Sequence, residues 1–152
     1  MSITHLPAML VSESTGWNEI SRRHPSARQL FFCLVAPLSL IPPALYAYAE
    51  RVHPGVVFPL SAPALTGRQL LVTGLVFYLA QLAMVSFMAM VVQRLALARD
   101  HDPGFESAYA LAAIAPVPLW LAPLALFVPS LSLNAGVIAL AWLATAALIR
   151  HG

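Results

Sequence analysis

The sequence predicts an all-α integral membrane protein, a bundle of four transmembrane helices with a short interfacial segment at its N-terminus. Hydrophobic residues make up 60% of the chain and charged residues only 9%, whereas soluble proteins carry about 25% charged residues. The mean hydropathy is +0.80. A run of 43 residues, Ser107 to Ile149, contains no Asp, Glu, Lys or Arg. As one helix it would be about 65 Å long, roughly twice the hydrocarbon thickness of a bilayer, so we expect it to cross twice.

Residues 1–29 are predicted to lie on the cytoplasmic surface of the membrane. They place Trp17 close to Arg22 and Arg23, and Trp at the headgroup level beside Arg that faces anionic lipid is typical of an interfacial helix. An ordinary polar lead-in with one aromatic anchor explains the same residues, because the helix would have only about two or three turns. Ser26 is a candidate N-cap for the span that follows.

The membrane domain is expected over residues 30–152. Pro129 ends one helix inside the long uncharged run, and Ser130 or Asn134 can cap the next. Arg68 and Arg94 bound another uncharged stretch, and a further one precedes Glu50. The predicted spans are residues 30–49, 69–93, 107–128 and 131–149.

Proline divides these spans into two kinds. The first and third spans contain three prolines each and the second and fourth contain none; the six are Pro37, Pro42, Pro43, Pro116, Pro118 and Pro123. Each interior proline lacks an N–H donor and frees the carbonyl four residues earlier. In hydrocarbon that carbonyl needs a hydrogen-bond partner. We therefore expect the first and third spans to be kinked and to pack centrally, with Pro37, Pro42, Pro43, Pro116 and Pro118 at packing or partner contacts.

The Pro-free spans offer small and weakly polar groups for helix packing. Gln81 lies near the middle of the second span and is the best candidate for an interhelical hydrogen bond, with a substrate contact as the alternative. Gly74 on the same span, and the pair Ala135 and Ala139 on the fourth, provide small side chains at which helices approach closely. We predict all four residues at helix or partner contacts.

The arginines predict the orientation. All eight basic residues are Arg, which together with abundant Ala and Leu suggests a GC-rich bacterial genome. With both termini in the cytoplasm, six arginines lie inside and only Arg51 and Arg68 lie outside. The positive-inside rule favours this arrangement. The predicted location is the bacterial inner membrane, with both termini cytoplasmic.

No residue pattern reaches a catalytic or metal-binding signature. The five histidines lie outside the spans without the close spacing of a zinc site, and the single Cys33 is interpreted as a packing residue. No span contains an ionisable residue of the kind that lines transport pathways. The Ser and Thr side chains within the spans have no His or Asp at similar depth to activate them as nucleophiles. The arginines stand singly and form no basic stripe. We predict no enzymatic activity, no metal, no cofactor and no nucleic-acid partner.

Three stretches together resemble the bacterial branch of the Yip family, small multi-span proteins named for Ypt/Rab-interacting relatives. They are residues Ser14–Ile20, Tyr109–Trp120 and Leu148–Gly152. The resemblance implies a cytoplasmic N-terminus and no catalytic residues. It also implies a fifth span after Gly152, so this chain is either a four-span variant or a truncated form. Rab binding is not carried over, since bacteria lack Rab-dependent vesicle traffic.

Together these observations predict a non-enzymatic scaffold or accessory subunit. It would work through helix contacts with other integral membrane proteins or with membrane lipids. The alternative is a transporter or channel component that uses the breaks around Pro37, Pro42, Pro116 and Pro118 as binding elements.

Overall fold

The computed structural model describes residues 25–54, 65–100 and 103–151. In this part of the chain four helices are long and apolar enough to cross a membrane: α1 (Ala27–Val52), α2 (Gly67–Leu97), α3 (Gly104–Phe127) and α4 (Leu131–His151). No strand occurs among the described residues. The predicted all-α four-helix membrane fold is therefore confirmed. The predicted interfacial anchors Trp17, Arg22 and Arg23 lie outside the described residues.

Helix α1 is interrupted twice along its length. Its first turn is capped by Ser26, whose Oγ accepts a hydrogen bond from the Gln29 N–H at 3.2 Å. A π-helical segment, Phe31–Val35, then precedes Pro37, and a break at Leu40 precedes the α-helix Ile41–Val52. The π turn is a local irregularity next to Pro37, which has no N–H to donate. Pro42 and Pro43 stand in the first turn of the next helix, where a missing N–H costs little.

Helix α3 is interrupted in the same way. An α-helix Gly104–Ile114 is followed by a short helix Val117–Leu121 and a 3-10 helix Ala122–Phe127. The short helix starts directly after Pro116, and each of the last two segments carries a proline in its first turn. The six prolines of the first and third predicted spans thus coincide with the helix breaks of α1 and α3.

Helices α2 and α4 run without a break. The α2 N-terminus has a capping box, in which the Gln69 N–H donates to Thr66 Oγ1 at 3.4 Å and the Thr66 N–H donates to Gln69 Oε1 at 2.9 Å. The turn before α4 consists of residues 128–130, and Ser130 Oγ accepts from the Leu133 N–H at 3.4 Å. Ser130 is therefore the cap, and the break lies where Pro129 predicts it.

Helix α3 forms the centre of the bundle. Of its most apolar stretch 56% is buried inside the protein, compared with 28% for α1, 22% for α4 and 11% for α2. The first half of α3 packs against α2 and the start of α1, and its second half packs against α4 and the end of α1. Central packing is thus confirmed for α3. Helix α1 is less enclosed than predicted.

Candidate functional site

The site that the sequence indicates lies where α1 and α2 meet, at the break in α1. We call it the proline junction and define it as Ser39, Pro43, Gly74 and Gln81. Because Pro43 has no N–H, the carbonyl of Ser39 loses its intrahelical donor. Gln81 Nε2 on α2 donates to this carbonyl at 3.1 Å. The freed carbonyl is therefore satisfied by a side chain from a neighbouring helix, as a backbone acceptor in hydrocarbon requires.

Close packing accompanies this hydrogen bond. Ser39 is fully buried, and its hydroxyl donates to the carbonyl of Ala36 at 3.3 Å. A Cβ placed on Gly74 would lie 3.7 Å from the Cβ of Pro43, an ordinary van der Waals distance. Gln81 Nε2 also lies 3.4 Å from the carbonyl of Phe77 on its own helix. The Gln81 amide and the Ser39 carbonyl of the proline junction thus bond to each other across α2 and α1.

A second polar contact joins α2 to α3. Tyr109 is buried, and its ring lies 5.8 Å from that of Phe105. Ser86 on α2 faces the Tyr109 hydroxyl, but Ser86 Oγ donates its proton to the carbonyl of Leu82 at 3.3 Å. No described residue forms a hydrogen bond of good geometry with the Tyr109 hydroxyl.

A third contact fastens the ends of α1 and α3 together. Glu106, in the first turn of α3, accepts a hydrogen bond from the backbone N–H of Ala27, the first residue of α1. A carboxylate at a helix N-terminus satisfies a donor that has no intrahelical partner and interacts favourably with the helix dipole. Sequence reasoning missed this contact, although Glu106 is the only acidic residue at the start of a span.

The remaining predicted packing residues are distributed over several surfaces. Pro42 is buried, Pro116 and Pro118 are partly buried, and Pro37 is exposed. Ala135 and Ala139 are exposed as well, because α4 packs on α3 through a different face, which contains Asn134, Ala141, Thr145 and Leu148. The structure therefore brings Pro43, Gly74 and Gln81 together but leaves Pro37, Ala135 and Ala139 on the outside.

The described residues contain no cluster of three or more His, Cys, Asp or Glu side chains that could hold a metal ion. Cys33 is exposed on the outer side of α1.

The comparison with protein families identifies the family of this chain. A family model for the Yip1 domain matches residues 8–152, which is nearly the entire chain. The chain belongs to the Yip1 domain family. The Yip1 match extends over all four helices and, together with their apolar character, makes this a multi-pass membrane protein. Comparison with curated proteins and with solved structures returned no match.

Yip1 membership also confirms the family-level resemblance of the three sequence stretches. It does not distinguish a bacterial from a eukaryotic branch.

Proposed function

We propose that this Yip1-domain protein is a non-enzymatic scaffold or accessory subunit of the bacterial inner membrane. It binds other integral membrane proteins through helix faces that its own fold leaves uncovered, and lipids fill the remaining surface. Support comes from α4, whose main contacts are with the second half of α3 alone. A helix held on one side only presents the other side to the membrane.

The outer face of α4 has the composition of a helix-packing surface. We define it as Ala135, Ala139, Trp142 and Ala146, which follow one another at spacings of four, three and four residues and are all exposed. Such spacing places the four side chains on one face of the helix. Small residues let a second membrane helix approach closely, so that backbone and side-chain contacts form without a hydrophobic driving force.

Trp142 is the observation that carries the proposal. Its side chain is 62% exposed and lies near the middle of the 21-residue helix α4. Trp is enriched at the two membrane interfaces, where its indole N–H reaches polar groups. At mid-membrane depth no lipid acceptor is available, and no described residue accepts a hydrogen bond from this indole. A partner helix with a carbonyl or hydroxyl at the same depth would supply the acceptor.

The charges of the described residues support the proposed orientation. With one membrane crossing per helix, Arg28, Arg94, Arg99 and Arg150 lie on one side of the membrane and Arg51 with Arg68 lie on the other. The positive-inside rule assigns the first group to the cytoplasm. Both termini of the described bundle then face the cytoplasm.

The transporter alternative has one observation in its favour. The interrupted parts of α1 and α3 touch, since residues 36–39 pack against residues 117–121. Broken helices that meet at mid-membrane form the binding sites of many transporters. Here, however, the freed carbonyl of Ser39 already bonds to Gln81, so the break needs no solute to satisfy it. We therefore place this alternative second.

A crosslinking experiment with a matched control tests the proposal. A photoreactive amino acid in place of Ala146, on the same face of α4 as Trp142, is activated in native membranes and is expected to capture one membrane protein in stoichiometric amount. The same photoreactive amino acid in place of Val76, which is 62% exposed like Trp142 but lies on α2, is expected to label lipid.

The Trp142→Ala variant should lose the same partner on purification in mild detergent, while Leu71→Ala should keep it. An unchanged partner yield in Trp142→Ala would contradict the proposed surface. Solute uptake by the purified protein alone in liposomes would favour the transporter alternative instead.

A further inference from the structure

A shallow groove lies on the side of α2 that faces away from the bundle. It has a volume of about 300 Å³ and is lined by Phe87, Met90, Val91, Arg94 and Leu95. These residues follow the helical repeat and therefore share one face of α2. The face that carries Val85 and Ala89 belongs to the core with α3. The groove is thus open to the membrane. Arg94 is its only charged lining residue and contributes the apolar stem of its side chain, so the guanidinium lies outside the apolar lining.

The depth of the groove follows from the length of α2. Arg68 and Arg94 stand near opposite ends of the uninterrupted helix, and their separation along the axis is about 39 Å. A bilayer measures about 40–45 Å with its headgroups included. When α2 spans the membrane, Arg94 therefore reaches the headgroup layer, and Phe87, Met90 and Val91 lie at the depth of the acyl chains.

The charge of Arg94 has no counterpart within the described part of the protein. Its side chain is exposed, and no described acidic residue forms an ion pair with it. It lies on the Arg-rich side of the bundle, together with Arg28, Arg99 and Arg150. A guanidinium binds phosphate oxygens through two parallel N–H donors, and anionic lipids attract basic residues close to the membrane surface.

We propose that this groove binds one anionic phospholipid of the cytoplasmic leaflet. The phosphodiester contacts the Arg94 guanidinium, and one acyl chain lies along Phe87, Met90 and Val91. The charge selects an anionic lipid over a zwitterionic one, because the ammonium group of a zwitterionic headgroup offsets the attraction. This inference deepens the lipid part of the proposed function and does not depend on the protein partner at Trp142.

The test uses the purified full chain in mild detergent and native mass spectrometry. Dioleoyl phosphatidylglycerol is expected to bind at lower concentration than dioleoyl phosphatidylcholine. The Arg94→Gln variant should weaken phosphatidylglycerol binding about fivefold, the effect of one basic residue near an anionic headgroup. Arg94→Lys keeps the charge and should retain most of the binding.

Two matched variants distinguish lipid binding at Arg94 from a general attraction of anionic lipid to the basic surface. Arg99→Gln removes an exposed charge at the same end of α2 but outside the groove, and Arg68→Gln removes one at the opposite end. Each is expected to change phosphatidylglycerol binding less than about twofold. A loss in Arg99→Gln equal to that in Arg94→Gln would overturn the proposal in favour of a general surface potential.

The acyl-chain part has its own readout. Phe87→Ala should weaken the binding of dioleoyl phosphatidylglycerol. It should leave the binding of short-chain dihexanoyl phosphatidylglycerol unchanged. Inorganic phosphate or the short-chain lipid should compete for the site less well than dioleoyl phosphatidylglycerol. If either competes equally well, the site binds an anion without an acyl chain and the proposal is wrong. If the Arg94→Gln variant loses lipid binding but keeps the protein partner at Trp142, the lipid site and the protein-binding surface are independent of each other.

Discussion

The Pro-bearing helix α3 and the Pro-free helix α2 face different environments. Helix α3 is more than half buried, and its chain passes through three helical segments. Helix α2 is unbroken over 31 residues and faces mostly lipid. A broken helix carries backbone groups that lipid cannot satisfy, whereas a continuous helix satisfies its own. Broken backbone hydrogen bonds therefore favour the enclosure of α3, but they do not enclose α1, which at 28% buried resembles the continuous helix α4 at 22%.

The proline junction shows how the two kinds of helix depend on each other. The carbonyl that Pro43 frees in α1 is satisfied by Gln81 of the continuous helix α2. Because the backbone of a continuous helix forms its own hydrogen bonds, the Gln81 side chain is available to donate to a neighbouring helix. Three sets of substitutions test how enclosure and backbone hydrogen bonding are linked in these helices.

The largest effect is expected from shortening a side chain in the central helix. Ile114 on α3 is 1% exposed and Ile138 on α4 is 37% exposed. Ile114→Ala should destabilise the protein by about 2 kcal/mol, the lower end of the range for soluble cores, because lipid is as apolar as the protein interior. Ile138→Ala should cost a few tenths of this. Thermal unfolding in detergent measures both, and equal losses would contradict the central position of α3.

An intermediate effect is expected at the proline junction. Gln81→Leu leaves the Ser39 carbonyl without its interhelical donor and should cost about 1 kcal/mol, within the range of such bonds in membranes. Pro43→Ala restores an N–H four residues after Ser39, so Gln81→Leu should cost less in that background. A double-mutant cycle on unfolding free energies makes the comparison. If Gln81→Leu costs the same in both backgrounds, the hydrogen bond does not compensate for the proline.

The smallest effect is expected at Gly74. An alanine Cβ there would lie at normal contact distance from Pro43, and Ala is favoured over Gly inside a helix by up to about 1 kcal/mol. Gly74→Ala should therefore raise the melting temperature slightly. Gly74→Val adds two methyl groups against Pro43 and should lower it. A gain in both variants would show that α2 does not approach α1 closely.

Part of this architecture could be predicted residue by residue from the sequence. The uncharged stretches predicted four helices, Ser26 and Ser130 cap helices where local rules place them, and the prolines coincide with the breaks of α1 and α3. Gln81 was identified as a donor, but its acceptor was not. The contact between Glu106 and Ala27 joins residues 79 positions apart, and no local pattern indicates such a pair.

The sequence alone determined that this chain lies in a membrane, how often it crosses and where its helices break. These properties are local, because each segment must leave water and satisfy its own backbone. Only the tertiary structure decided which faces are enclosed: that Gln81 meets Ser39, that Ala135 and Ala139 point outward, and that Trp142 faces the membrane. The physical reason is that lipid and protein interior are about equally apolar, so side-chain hydrophobicity cannot distinguish an inner face from an outer one.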